Sequence, residues 1–300
     1  MRPDQLLILE TGRLRMLVCT AREAALTAAR RHSLSEGSAA ALAQAMTGAL
    51  LLATHDGARV DLQLDCAGPL RGLLADAEPD GAVRGLVRAG DLNRHGARAG
   101  AQSTEPPSAA GRFDARPVLS SAYDERAGAL SILRAEPGRQ SPHRAAFPFA
   151  GGDLGAALTL YLRNDREAGG ELALEVLLDE GGLAQVAGVL IAPLDQADDV
   201  RALGKPLRQG GLREAMRGAA DALQLASALQ LGELTMVRDL APRFACRCSK
   251  ERVLHALATL PAPELRDMAE KDGGAEITCD FCAEKYALTS ADLLSLKDEA

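Results

Sequence analysis

The sequence predicts an α+β fold: a mixed-sheet N-terminal domain with packed helices, a largely helical linker, and a small C-terminal module organised by cysteines. Three observations lead there. Up to Pro193, stretches with a two-residue apolar period and stretches with a helical period follow one another without strict alternation, which favours α+β over a doubly wound sheet. From Asp195 the chain turns polar and carries Gly204, Pro206, Gly210 and Gly211, the composition of a domain exit. Four of the six cysteines fall in two close pairs, Cys246/Cys248 and Cys279/Cys282. The resulting division is 1–194, 195–242 and 243–300.

Taken in order, Arg13 to Thr20 reads as a strand, with Thr20 placed to cap a helix running through His32. Ser35 opens a second, Ala-rich helix to about Thr54. Val60, Leu62, Leu64 and Cys66 alternate with polar neighbours, the mark of a half-buried strand, and Gly68-Pro69 ends it. Strands are expected near Ala82 to Val87, Gly128 to Leu133, Glu171 to Leu178 and Val186 to Ala192. A helix from Asp153 to Arg163 presents Leu154, Leu158 and Tyr161 on one face. His95 to Pro117, rich in Gly, Ala, Ser and Pro, reads as a long mobile loop. In the linker, Leu212, Met216, Ala219, Leu223 and Ala226 form one helical stripe, whereas Leu225, Leu229 and Leu231 lie on another face. A helix apolar on more than one side must be covered or it becomes adhesive.

Composition excludes several classes. The 300 residues hold 34 Lys plus Arg against 41 Asp plus Glu, so the net charge of −7 argues against a surface built throughout for phosphates. Five Phe, three Tyr and no Trp are too few for a base-stacking groove. The apolar run Leu6 to Leu9 is too short for a secretory segment and is followed by charge, so the chain is expected to stay in the cytoplasm. Uninterrupted apolar runs such as Gly48 to Ala53 and Val189 to Ala192 fall far short of the roughly 18–20 residues that span a bilayer, so no membrane segment is expected. Phosphate-loop, His-Glu-x-x-His and Gly-x-Ser-x-Gly signatures are missing, and no enzymatic activity is expected.

The cysteines carry the chemistry. In a reducing compartment they are poor candidates for a static disulfide framework. Two close thiol pairs, thirty residues apart, meet the soft, tetrahedral preference of Zn²⁺. Between the pairs, Ser249 caps one short helix, Pro261 to Pro263 turn the chain into a second that ends by Gly273-Gly274, and Ile277 to Leu288 read as a hairpin with Cys-x-x-Cys at its tip. Thr289-x-x-Asp292 opens a final helix. A module this small and this poor in large apolar residues depends on metal for folding, since structural zinc contributes about 10–16 kcal/mol in small peptides. Arg243, Arg247, Lys250 and Lys285 stand close in sequence to offset the charge of four thiolates. Spacing alone leaves two readings: a permanently closed zinc ribbon, or a switch, to which the strained ring of a Cys-x-Cys disulfide is better suited. Cys19 and Cys66 read as buried small hydrophobes, and His255 as a surface helix residue.

The run FACRCSKERVLHALATLP, followed by ELRDMAEKDGGAEITCDFCAEKYAL, resembles the C-terminal module of the 33 kDa chaperonin family, heat-shock protein 33. Phe244, Ser249, Glu251-Arg252, Leu257, Leu260-Pro261, Asp280 and Tyr286 share in the resemblance, which continues more weakly through ALLLATHDG, VDLQLDCAGPLRGLLAD and AVRGLVRAG. It implies an ATP-independent holdase chaperone, inactive while reduced and holding one Zn²⁺ per chain on Cys246, Cys248, Cys279 and Cys282. On oxidation the disulfides Cys246–Cys248 and Cys279–Cys282 would form, zinc would leave, and module and linker would unfold. Unfolding client proteins would then be bound, commonly by a homodimer. Leu212, Met216, Leu223, Leu225 and Leu229 are the candidate client contacts. The competing reading is a zinc ribbon that binds RNA or a transcription complex through Arg243, Arg247, Lys250 and Arg252, although Glu251, Glu264, Asp267, Glu270 and Asp272 dilute that patch.

Overall fold

The computed structural model describes residues 3–66, 68–88, 113–115, 119, 128–149, 153–165, 169–194 and 200–296. Most of the expected loop His95 to Pro117 and the start of the expected domain exit lie outside them. The chain divides into two compact units, Met1–Ala245 and Cys246–Ala300.

In the first unit, strands β1 (Gln5–Glu10), β2 (Leu14–Thr20), β6 (Phe113–Asp114), β9 (Glu171–Asp179), β10 (Gly182–Pro193) and β11 (Thr235–Leu240) form an antiparallel sheet in the order β11-β1-β2-β10-β9-β6. A second sheet, β12-β5-β4-β3-β7-β8, is built from β3 (Arg59–Asp65), β4 (Gly72–Ala77), β5 (Ala82–Val87), β7 (Gly128–Ala135), β8 (His143–Phe149) and β12 (Arg243–Phe244). Its strands are antiparallel except β12, which runs parallel to β5. The mixed α+β architecture expected from the sequence is therefore present.

Helix α2 (Glu36–Asp56) packs against both sheets, and every residue from Gly37 to Ala53 is buried. A helix apolar all round needs such an environment. At 21 residues it is long and apolar enough to cross a membrane, yet its apolar stretch is wholly buried in the protein core. Close approach depends on glycine: a Cβ at Gly188 would lie 2.8 Å from Leu51 and Thr47, and one at Gly48 would lie 2.6 Å from Leu158. Ser35 caps α2 through Ser38 N–H, as its position predicts.

Helix α1 (Arg22–Arg31) corrects an expectation. Thr20 is the last residue of β2, and its hydroxyl accepts from Gln5 N–H rather than capping the helix. The capping is done by Asp4, whose carboxylate accepts from Glu23 N–H at 3.1 Å and Ala24 N–H at 2.8 Å. Burial pushes the Asp4 carboxyl above its usual range, against the pull of these N–H donors. Helix α3 (Leu154–Asp165) buries Leu154, Leu158 and Tyr161 together, as expected.

The first sheet is apolar on both faces. Along β1, β2, β9 and β10, Leu6, Leu17, Leu172 and Leu190 face α2, whereas their neighbours face the other way. Register aligns those neighbours into rows, Leu7–Val18–Val189–Ala173 and Leu9–Met16–Ile191. Two buried faces explain why these strands read as continuous apolar runs instead of alternating ones. The outward face is covered by the segment from Val200: helix α4 (Arg201–Pro206), a kink through Leu207–Gly211, α5 (Leu212–Gly218) and α6 (Ala222–Ala228). Leu207, Leu212, Met216, Ala222, Leu225 and Ala226 supply the cover. The covering segment is largely helical, as expected, but its stripe from Leu212 to Ala226 is not carried by one helix: the helix breaks at Ala219, restarts with Asp221 as its cap, and gives way after Gly232 to the strand β11. The break rotates the second half, so Leu223 is 52% exposed while Leu225 is buried.

In the second unit, Ser249 caps α7 (Lys250–Leu257), and α8 (Ala262–Glu270) follows Pro261. Gly273 and Gly274, at φ +72° and +140°, turn the chain into the hairpin β13 (Gly274–Thr278) and β14 (Lys285–Thr289). Thr289 and Asp292 form a reciprocal capping box at α9 (Ser290–Ser295). Leu265, Ala269, Leu288 and Leu293 are the buried apolar centre, a small one for a unit of this length.

Candidate metal centre

Cys279 and Cys282 sit at the tip of the β13–β14 hairpin. Cys279 N–H donates to Glu284 C=O at 2.9 Å and Ala283 N–H to Cys279 C=O at 2.8 Å, with Ala283 in the left-handed region at φ +57°. This turn folds both thiols to one side. Cys246 and Cys248 occupy the irregular segment between β12 and α7. The sulfurs converge: Cys246 and Cys279 Sγ are 3.7 Å apart, Cys248 and Cys282 Sγ 3.3 Å, and all four lie within 4.8 Å of one another.

A cation with thiolate bonds of about 2.3 Å in tetrahedral geometry sets its sulfurs about 3.8 Å apart, so the cluster matches a four-sulfur cage. The donor set is all thiolate, which selects soft ions. Protons resist leaving without such an ion. Burial pushes the Cys279 thiol up, partly offset by the N–H groups of Phe281 and Cys282. Burial pushes Cys282 further, and the neighbouring Cys248, Cys246 and Cys279 add to it. Four sulfurs this close cannot all ionise unless a positive charge stands among them.

One contact has no signal in cysteine spacing. The Tyr286 hydroxyl, on β14, donates to Cys248 Sγ at 3.0 Å, and this hydrogen bond holds its own proton above the usual tyrosine range. Such a donor would offset charge on a Cys248 thiolate beside any cations that do so. Three of the four cations nominated for that task have carboxylate partners: Arg243 with Asp80, Lys250 with Asp292, and Lys285 with Glu276. His255 is exposed on α7. Cys19 is fully buried and Cys66 half-buried, both against the core around α2.

The family model described as Hsp33 protein matches residues 5–289. The chain belongs to the Hsp33 family. Among curated relatives of this Hsp33-family chain, the 33 kDa chaperonin of Rippkaea orientalis is 35% identical over 282 residues, covering 90% of this chain and 87% of the relative. That of Acaryochloris marina is 35% identical over 284 residues, covering 91% and 88%. A crystal structure of the 33 kDa chaperonin from Thermotoga maritima matches with a TM-score of 0.72 at 21% identity, covering 100% of this chain and 99% of that one, a likeness of fold. Chaperones of this family are not enzymes, which agrees with the missing catalytic signatures.

The linker leucines are not brought together with the cysteines. Leu212, Met216 and Leu225 are buried on the outward face of the first sheet, Leu229 packs at the rim of that cluster, and Leu223 points to solvent.

Proposed function

We propose that this chain is a redox-regulated, ATP-independent holdase of the cytoplasm. Reduced, it holds one Zn²⁺ on Cys246, Cys248, Cys279 and Cys282. Oxidation forms the disulfides Cys246–Cys248 and Cys279–Cys282, releases the ion, and unfolds a module whose apolar centre is too small to stand without it. Residues 195–242, which lead into that module, then detach, and the face they cover becomes available to unfolding proteins, with the active form a homodimer. In this scheme 1–194 binds clients and dimerises, 195–242 is the metastable cover, and 243–300 is the switch. Leu212, Met216, Leu225 and Leu229 contribute to the client surface together with the sheet beneath them. Leu223 is available without any opening.

The observation that carries this reading is the pairing of a four-thiol cage with an apolar sheet face covered by the segment upstream of it. A ribbon that reads RNA finds less support, because Arg243 and Lys250 of its cationic patch are engaged by Asp80 and Asp292.

The test follows zinc and chaperone activity in one sample. Reduced protein should carry about one zinc per chain and leave a heat-unfolding client to aggregate. Peroxide with mild warming should release the zinc to a chromogenic chelator and suppress aggregation over the same interval. Full suppression with zinc retained rules the scheme out.

A further inference from the structure

The cover on the first sheet is held by more than apolar contact. Glu171, the first residue of β9, is 1% exposed, and its two carboxylate oxygens have different partners. Oε1 accepts from Arg163 Nε of α3 at 2.8 Å, and Oε2 accepts from Arg208 Nη1, in the kink of the covering segment, at 2.9 Å. The same Arg208 nitrogen donates to Thr159 Oγ1 at 3.0 Å, and Thr159 is itself tied to Leu172 N–H at 2.9 Å. Gly204 completes the arrangement. Its backbone lies so close to Glu171 that a Cβ there would overlap the carboxyl group. Arg208 is therefore a cation through which the covering segment reaches a buried carboxylate.

This stretch has little helical strength of its own. Between Arg201 and Gly211 it contains Gly204, Pro206, Gly210 and Gly211, and Gly210 has φ +120°. Such a segment stays in place by docking, and a charged hydrogen bond to a buried carboxylate is a strong tie. We infer that Glu171, Arg208 and Gly204 form a polar latch that keeps the front of the covering segment docked, independently of the four cysteines. Releasing the latch then frees the front of the client face even while the cysteines keep their metal. The functional consequence rests on the holdase reading above, whereas the latch itself does not.

Arg163 supplies the control. It binds the same carboxylate but belongs to α3, so its loss costs a comparable ion pair without touching the cover. The experiment compares hydrogen exchange of full-length, reduced, metal-loaded protein as wild type, Arg208→Gln, Arg163→Gln and Gly204→Ala. Glu171 keeps one cation in either arginine variant, so neither strands a buried charge. Exchange across 201–218 should rise at least about tenfold in Arg208→Gln and Gly204→Ala and stay near wild type in Arg163→Gln. Metal content and protection of 246–296 should not change. Unaltered protection in Arg208→Gln, or an equal rise in Arg163→Gln, overturns the latch. Aggregation of a heat-unfolding client is measured on the same samples. Faster exchange with suppression while metal is retained supports both latch and client surface. Faster exchange without suppression supports the latch and removes the client surface from this face.

Discussion

At the scale of single residues, the cysteines divide by surroundings rather than by chemistry. Cys246 shares a cage with three other sulfurs, whereas Cys66 packs against the apolar core around α2. Replacing Cys246 with Ser removes a soft ligand and should lower zinc affinity by orders of magnitude, while Cys66→Ser leaves it nearly unchanged; chelator competition measures both. Similar affinities for the two variants would contradict the cage. Tyr286 gives a finer test. Its hydroxyl donates to Cys248 Sγ, and partners of metal ligands typically matter by 10–100-fold. Tyr286→Phe should therefore weaken zinc binding about tenfold and speed oxidation of Cys248, because a thiolate relieved of its donor is more nucleophilic. Unchanged affinity would show that the hydroxyl has no part in holding charge at the site.

At the scale of elements, the sequence disclosed what is local and missed what is distant. Ser35, Ser249 and Thr289 reveal their helices because a cap lies within three residues of the N–H it satisfies. The hairpin that aims Cys279 and Cys282 was legible for the same reason. The cap of α1 comes from Asp4, nineteen and twenty positions before the N–H groups it serves, and Tyr286 meets Cys248 across 38 positions. Neither leaves a pattern in a short window. The covering segment misled because Ala and Leu continue past Gly218, so the apolar stripe reads as one helix. The chain breaks there, and Gln185 Nε2 donates to the Ala219 C=O at 3.1 Å. The break has an energetic signature. Leu225→Ala removes a side chain packed on the sheet and should destabilise the cover by about 2–5 kcal/mol, whereas Leu223→Ala should change it by no more than about 0.5 kcal/mol. Denaturant titration with a hydrophobic dye follows the exposed face. Equal losses at the two positions would mean that one uninterrupted helix lies there after all.

At the scale of the whole molecule, the two units rest on different forces, and pH separates them. Residues 1–245 carry two extensive apolar clusters around a sheet buried on both sides, which titrate little between neutral and mildly alkaline conditions. In the proposed scheme residues 246–300 depend on an ion held by four sulfurs. Without a metal, burial holds the Cys279 and Cys282 thiols above their ordinary value of 9.0. The folded form then binds protons more tightly than the unfolded one. That contribution is complete below pH 9 and is lost as pH rises through the folded values, so the metal-free module weakens in alkali. With zinc bound the sign reverses. Each thiolate must shed a proton to ligate, protons compete with the ion, and stability falls as pH falls. Hydrogen exchange across 246–296, followed from about pH 6 to pH 10 with and without a chelator and corrected for intrinsic rates, should therefore show protection that falls towards acid only in the metal-loaded sample, while the chelated one keeps little protection at any pH and loses what remains above about pH 9. Protection across β1, β2 and β10 serves as an internal reference that moves with neither. Parallel curves would mean that the ion contributes nothing to folding, and that oxidation has no lever through which to reach the covered sheet.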